Sequence, residues 1–598
     1  MKTFLLSLLI LMTSPFYGTT LDYTLSFMSP NTHTYVIELQ TEPQYETYTD
    51  FKMPAWRPGR YYLQDYAAAV SHVEAFGTGA QPLKWKKIDK DTWRVSHDKL
   101  ETVRIKYRFF ANNEDAGSSF LSHDQAYFNP VNMFMYVPGR YDTPITLVVK
   151  DLPSHWDAAT PLQQGDKYNE WKADSYHEFV DSPTVLAKEI KPLTFEDKGT
   201  TFYLHFHGDY QGNKEVDEAL IENVKKICQE QSRIFGGKYP FKTYHFIYRL
   251  LAYDMRHAVE HSNSASFVLP ARVTASVKAL SGVYGITAHE FWHAWNVKRI
   301  RPAALWPYDY SQPQYTNLHW FTEGVTDYYT LLSLVRTGLS TKENFYRRIA
   351  RSIESVENSY AASVVSASAS SFNSWQASSP YAAPQFRTSY YGLGSRLGLL
   401  FDLELRKVSE GTVGLDDIFH YLYITYYEQD QGVPEDGIQL AAEKLTNQSW
   451  QAWFDSFVHG TEAYDYKSAF SAFGLDIRTE SDDDTGPRRL GIMRTQQTSQ
   501  GFVVSSLDPR GDAARGGLAQ GDLILSIDGQ NAAGMDLDNY LSELKKGSKI
   551  SMKVFSGTGL QDLEISLKGS YQPTVFYIEE KDRQKTKEEN LRERWLGN

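Results

Sequence analysis

HEFWHAWNVKRIRP, residues 289–302, places two histidines four residues apart with a glutamate directly after the first. Apolar residues recur at helical spacing from Gly285 to Ile300, which predicts a helix there. On a helix His289 and His293 share one face, so both imidazoles can point at a single metal ion. Glu290 is then positioned to act as general base toward an activated water. A catalytic zinc takes three protein ligands and keeps one position open. The third does not come from the residue six after His293, which is Arg299, nor from the one nineteen after it, which is Gln312. The best carboxylate is Glu323 in WFTEGVTDYY, residues 320–329, within a segment expected to be helical over Phe321–Thr337. Asp327 follows one turn later, placed to accept the second N–H of a ligating histidine.

Outward from this centre, composition narrows the possibilities. The chain has 598 residues, too many for one hydrophobic core, so three or four folding units are expected. A formal net charge of −12 gives no electrostatic footprint for nucleic acid. The single cysteine, Cys228, excludes a disulfide framework and a cysteine-only metal cluster, so any metal must be held by His, Asp and Glu.

Residues 1–20 read as a secretory signal: Lys2 is followed by the apolar run FLLSLLILM (4–12), too short to span a bilayer. No later segment reaches spanning length, so the mature protein is expected to be exported without a transmembrane anchor. Residues 21–191 carry short β-branched and alternating runs such as TVRIKYRFF (102–110), the pattern of a β-sandwich. Helical signals dominate 192–481, interrupted by a Ser/Ala-rich stretch over 354–384 whose composition permits a loop or a weak helix. After an Asp-rich linker at 482–487, residues to 570 form a compact unit of strands and Gly-Asp turns. Residues 571–598 read as a charged tail, frayed or helical.

The strings HEFWHAWNVKRIRP and WFTEGVTDYY resemble the M61 glycyl aminopeptidase family, a gluzincin group, and the resemblance extends over nearly the whole mature chain. MPAWRPGRY (53–61) is similar to a motif of the family's N-terminal β domain, and YHEFVDSP (176–183) to the segment leading out of it. The unit after the linker resembles an appended PDZ domain, with Leu490, Gly491 and Ile492 as its carboxylate-binding loop. The resemblance implies a multidomain α+β protein: an N-terminal β-sandwich, a thermolysin-like, mainly α peptidase domain and a C-terminal PDZ domain. It implies one zinc per chain held by His289, His293 and Glu323, with Glu290 activating water. Glu260, expected just before an edge strand, would bind the substrate's α-ammonium, and Tyr391 would stabilise the oxyanion. Peptides are then the substrates, peptide C-termini the PDZ ligands, and a Gram-negative periplasm or the medium the location. His257-Ala258 and Leu393 depart from the family's Gly-Gly and lysine, which bears on the implied preference for N-terminal Gly or Ala. The alternatives are a zinc endopeptidase on the same site, or a PDZ-bearing peptide-binding scaffold with an inert metal centre.

Overall fold

The computed structural model describes residues 20–597 apart from 29, 380, 384–385, 482–489, 546, 558, 570–573 and 583–585. The expected signal segment up to residue 19 and the Asp-rich linker lie outside the described residues.

The N-terminal domain is a β-sandwich. Its larger sheet has seven strands, with Leu21–Phe27 parallel to Ile145–Val149 and antiparallel to Thr34–Gln44. Strand Glu101–Phe110 shows why it folds this way: Val103, Ile105, Tyr107 and Phe109 alternate inward while their neighbours stay partly exposed. That inner face shares one core with Ala126, Phe128 and Leu186 of a four-stranded sheet. The loop Met53–Tyr61 leaves the sandwich and is bolted to the next domain. Ala55 N–H donates to the Tyr310 carbonyl and Trp56 Nε1 to that of Asp309, both at 2.7 Å.

The second domain begins with a mixed five-stranded sheet: β1 (Lys191–Asp197), β2 (Thr200–Gly208), β3 (Thr243–Leu251), β4 (His257–Glu260) and β5 (Ser264–Pro270). The order is β1-β2-β3-β5-β4, with β4 antiparallel at the edge. Helix α1 (Lys214–Arg233) buries Leu220, Val224, Ile227 and Cys228 against it. Helix α2 (Ser281–Trp292) ends well before Ile300, the expected limit. Beyond it Asn296, Lys298 and Arg299 are buried and turn their polar groups to tertiary partners, so the chain runs on as tight turns. His293 still has helical φ/ψ as the C-cap, which preserves the i, i+4 relation to His289.

The expected helix over Phe321–Thr337 is instead a π-helical turn, Trp320–Gly324, running into α3 (Val325–Arg336). Helix α4 (Lys342–Glu357) follows, and then helix α5 (Tyr390–Val408) crosses the π turn at close range. A Cβ on Gly394 would lie 2.0 Å from the Trp320 carbonyl oxygen, and one on Gly324 would lie 2.4 Å from the Gly394 Cα. Two glycines are required at this crossing. The Ser/Ala-rich stretch between α4 and α5 is a chain of short helical turns, and it is partly buried: Ser371 Oγ accepts a hydrogen bond from Trp320 N–H.

The C-terminal residues take the helical alternative and add a strand before it. Strand β6 (Leu475–Ser481) pairs antiparallel with β8 (Thr574–Glu580), and helix α6 (Thr586–Leu596) docks on the catalytic domain. The PDZ-like unit is therefore an insertion held at both ends, and the tail is neither frayed nor free. Composition is misleading here because only Leu591, Arg592, Trp595 and Leu596 of α6 are buried, while its many charges face water. Within the PDZ-like unit β7 (Ile492–Thr498) is the edge strand, paired with Gly501–Leu507 on one side only among the described residues.

Candidate metal and substrate site

Three side chains converge. His289, His293 and Glu323 each offer a ligand atom, all within 4.8 Å of one another. His289 Nε2 and His293 Nε2 lie 3.1 Å apart, and Glu323 Oε2 is 3.4 Å from the latter. The second nitrogens fix the tautomers. His293 Nδ1 lies 2.6 Å from the Asn296 carbonyl, which can only accept, and His289 Nδ1 lies 3.0 Å from Asp327 Oδ1. Both Nδ1 atoms thus carry the proton, and both Nε2 lone pairs face one point. The Asn296 amide in turn donates to the Phe321 carbonyl at 3.0 Å and to Thr326 Oγ1 at 3.1 Å, which ties the end of α2 to the π turn.

This donor set fits a divalent cation. Two lone pairs facing each other at 3.1 Å repel unless a positive charge, a proton or a metal ion, lies between them, and Glu323 Oε1 is buried without a hydrogen-bond partner among the described residues. Two imidazoles and a carboxylate are zinc's usual donors. The electrostatics point the same way. Burial pushes Glu290 up to about 8; His289 opposes the rise, and Glu260 and Glu323 add to it. For His293 burial opposes protonation, but Glu323, joined by Glu260 and the Asn296 carbonyl, raises the imidazole to about 9. A pocket that crowds Glu260, Glu290 and Glu323 together is short of positive charge.

Glu260 is the last residue of edge strand β4, rather than just before an edge strand. It is 5% exposed, and its Oε1 has no hydrogen-bond partner among the described residues. Burial works against its charge, but His293, Lys298 and Arg57 together hold it below the usual carboxylate range. Alternation along β4 places Ala258 on the face of Glu260 and His257 on the other, where His257 Nδ1 accepts a hydrogen bond from Ala116 N–H. Leu393 is buried in the core of the catalytic domain. The Tyr391 ring lies parallel to His289 at 6.4 Å, and Tyr390 stacks beside Tyr391 at 4.9 Å.

Several residues of this region escape a reading of the sequence. Arg57 is buried and faces the carboxylates from the N-terminal domain. Tyr61 stacks on His319 at 3.7 Å, and both ring nitrogens of His319 are buried without partners among the described residues. Asp181 gathers three donors: Lys298 Nζ at 2.9 Å, His261 Nδ1 at 3.0 Å and Ser262 N–H at 2.8 Å. The VDSP and WNVKR strings carried the only signal, since charged residues inside apolar motifs need partners. In the PDZ-like unit, Leu490 and Ile492 point into its core. Gly491 has φ +82°, and a Cβ on it would lie 2.6 Å from the Gly511 Cα, so backbone packing already demands glycine there.

Comparison with known proteins adds three matches. Residues 22–188 match the peptidase M61 N-terminal domain, 283–397 the M61 glycyl aminopeptidase domain, and 474–555 the PDZ domain. No curated protein matches the chain by sequence. Among solved structures, an aminopeptidase N family protein from Idiomarina loihiensis has the same fold, with a TM-score of 0.87 over 96% of this chain and 100% of that one at 21% identity. An M1 zinc metallopeptidase variant from Deinococcus radiodurans, bound to a Tyr-Ser-Ala substrate, matches more distantly. Its TM-score is 0.46 at 13% identity, over 75% of this chain and 95% of that one.

Proposed function

The chain belongs to the M61 glycyl aminopeptidase family, and from that membership we propose that it is an exported zinc aminopeptidase releasing small N-terminal residues, Gly or Ala, from peptides. The observation that carries the reading is the pairing of a three-donor metal cluster with a separate buried carboxylate, Glu260, whose Oε1 is unpartnered.

His289, His293 and Glu323 would hold the zinc, with Asp327 and the Asn296 carbonyl keeping both imidazoles in the ligating tautomer. Zinc, when bound, would polarise the scissile carbonyl and lower the pKa of a water to about 7. Glu290 takes the proton of the attacking water and delivers it to the leaving amine nitrogen. Glu260 holds the substrate's α-ammonium by a charge-assisted hydrogen bond, which favours chain ends over internal bonds. Tyr391 donates to the developing oxyanion. The His257 side chain lies on the far face of β4 and Ala258 adds only a methyl on the near one, which is compatible with a small-residue preference. In the PDZ unit, the unpaired edge of β7 supports capture of peptide C-termini by strand addition.

The test is hydrolysis of glycyl-, alanyl- and leucyl-p-nitroanilide by the purified protein, with and without chelator, beside Glu290→Ala and an N-acetylated substrate. Chelator-sensitive release from free-amine substrates alone supports the proposal. Cleavage of the blocked substrate would make it an endopeptidase. No release from a protein that retains zinc would leave a binding scaffold.

A further inference from the structure

Two residues beyond the end of β4, Ser262 and Asn263 open onto a cavity of about 270 Å³ at the junction of the two large domains. Asp181 and Glu178 line it from the N-terminal side; Lys298, Arg301, Trp306 and Tyr308 line it from the catalytic side. Most of its polar groups are already engaged. Asp181 is used by Lys298, His261 and the Ser262 amide, and Glu178 accepts from Asp174 N–H at 2.6 Å. Asn263 Oδ1 accepts from Arg299 Nη2 at 3.2 Å, and His177, at the cavity wall, contacts the Tyr310 hydroxyl at 2.8 Å.

Arg301 and Tyr308 are the charged and the phenolic group of the wall whose side chains are left without a hydrogen-bond partner among the described residues. The Arg301 guanidinium lies over the Trp306 ring, 3.7 Å from its centroid, and among the described residues it has no hydrogen bond or ion pair. The Tyr308 hydroxyl likewise has no partner among them, although Tyr308 is only 9% exposed. Stacking on an indole occupies the flat face of a guanidinium and leaves its in-plane N–H fork free, in the geometry that matches an oxyanion. The backbone at Arg301 is pinned: Val433 N–H donates to the Arg301 carbonyl and Ala303 N–H to that of Val433, each at 2.8 Å. The cation is held at the wall of a cavity in which every fixed carboxylate already has partners.

We propose that this cavity is a second binding site, taking a small oxyanion on the Arg301 fork and the Tyr308 hydroxyl, with Trp306 as an apolar wall. A small organic carboxylate and a free phosphate share the chemistry, and the test separates them. The inference does not rest on the peptidase reading, because it is read by binding to chelator-treated, metal-free protein.

Full-length protein is titrated calorimetrically with N-acetylglycine and, separately, with inorganic phosphate. Saturable one-to-one binding of at least one is expected, and the tighter probe identifies the ligand class. Arg301→Gln should weaken binding about tenfold or more, the value of a charge-assisted fork. Tyr308→Phe, isosteric and so safe for folding, should weaken it several-fold, and Glu260→Gln should leave it unchanged. Retained affinity in both Arg301→Gln and Tyr308→Phe would overturn the proposal. So would tighter binding in Glu260→Gln, because removing a negative charge there would strengthen an anion held in the metal cleft. Absence of saturation by either probe up to about 10 mM, weaker than the millimolar range, would overturn it as well.

Discussion

Gly59, from the N-terminal β domain, lies so close to Glu260 that a Cβ built on it would sit 2.6 Å from a carboxylate oxygen. Its φ of +81° independently favours glycine. The two domains meet at the group assigned to the substrate amine. Gly59→Ala is expected to displace Glu260 and raise KM for free-amine substrates, while metal content by elemental analysis stays that of the wild type. Unchanged steady-state constants would mean that the contact is incidental.

Glu290 has no place among the metal donors, while His293 does. Glu290→Gln is expected to keep zinc yet lower kcat by about 10²–10⁴, the usual worth of a general base. His293→Ala should lose the metal itself. Retention of zinc by both variants would break the assignment of ligands.

Asp327 is 3.0 Å from His289 Nδ1 and is not itself a ligand. Asp327→Ala should cost about 10–100-fold in zinc affinity, measured by competition with a chromogenic chelator, through loss of imidazole orientation and basicity. Wild-type affinity in this variant would reduce Asp327 to a solvated helix carboxylate.

The Asp181–Lys298 pair sets a pH window for stability. Burial opposes the Asp181 charge, yet Lys298 and His261 hold its carboxyl well below the ordinary 3.8. A folded pKa below the unfolded one contributes stability that is full above about pH 4 and fades as pH falls further. For Lys298, burial is likewise outweighed, mainly by Asp181, and its pKa rises above the ordinary 10.5, so its contribution fades only in strong alkali. The pair's own contribution is flat between those limits, and urea midpoints should fall as pH drops below about 4. Asp181→Asn should lower the unfolding free energy at pH 7 by about 3 kcal/mol, as expected for a broken buried pair, and so lower the urea midpoint, with a shallower acid slope. Parallel acid slopes in the two proteins would put the sensitivity elsewhere.

Trp595 is fully buried near the chain's end, and its Nε1 donates to the Tyr328 hydroxyl at 2.6 Å, directly beside Asp327 in α3. Its carbonyl accepts from Arg336 Nη2 at 2.9 Å. Trp595→Ala is expected to cost about 3–5 kcal/mol in denaturant unfolding. Deleting residues 586–598 should destabilise the catalytic domain even with the PDZ unit left in place. A truncated protein with wild-type stability and zinc content would make α6 an ornament.

The clustering of His289 and His293 was legible because it is local. The i, i+4 spacing of His289 and His293 fixes their common face through backbone geometry alone, and it survived even though α2 ends at Trp292. The sandwich strands were legible for the same reason, since alternation along 101–110 writes burial directly into the residue order. What no local pattern encodes is which surfaces meet. Asp181 and Lys298 are 117 residues apart, and each by itself is an ordinary charge in an apolar motif. Gly59 against Glu260, Arg57 among the carboxylates and the Gly324–Gly394 crossing likewise depend on packing between separate elements. The tail's helix was among the readings, but its docking was not legible, because charged residues dominate its composition while four buried side chains dominate its energetics. Short-range periodicity and ligand spacing are properties of one segment and can be read from it. Domain apposition, the two-point attachment of the PDZ unit and the closing of the site by distant residues are properties of surfaces, which exist only once the chain has folded.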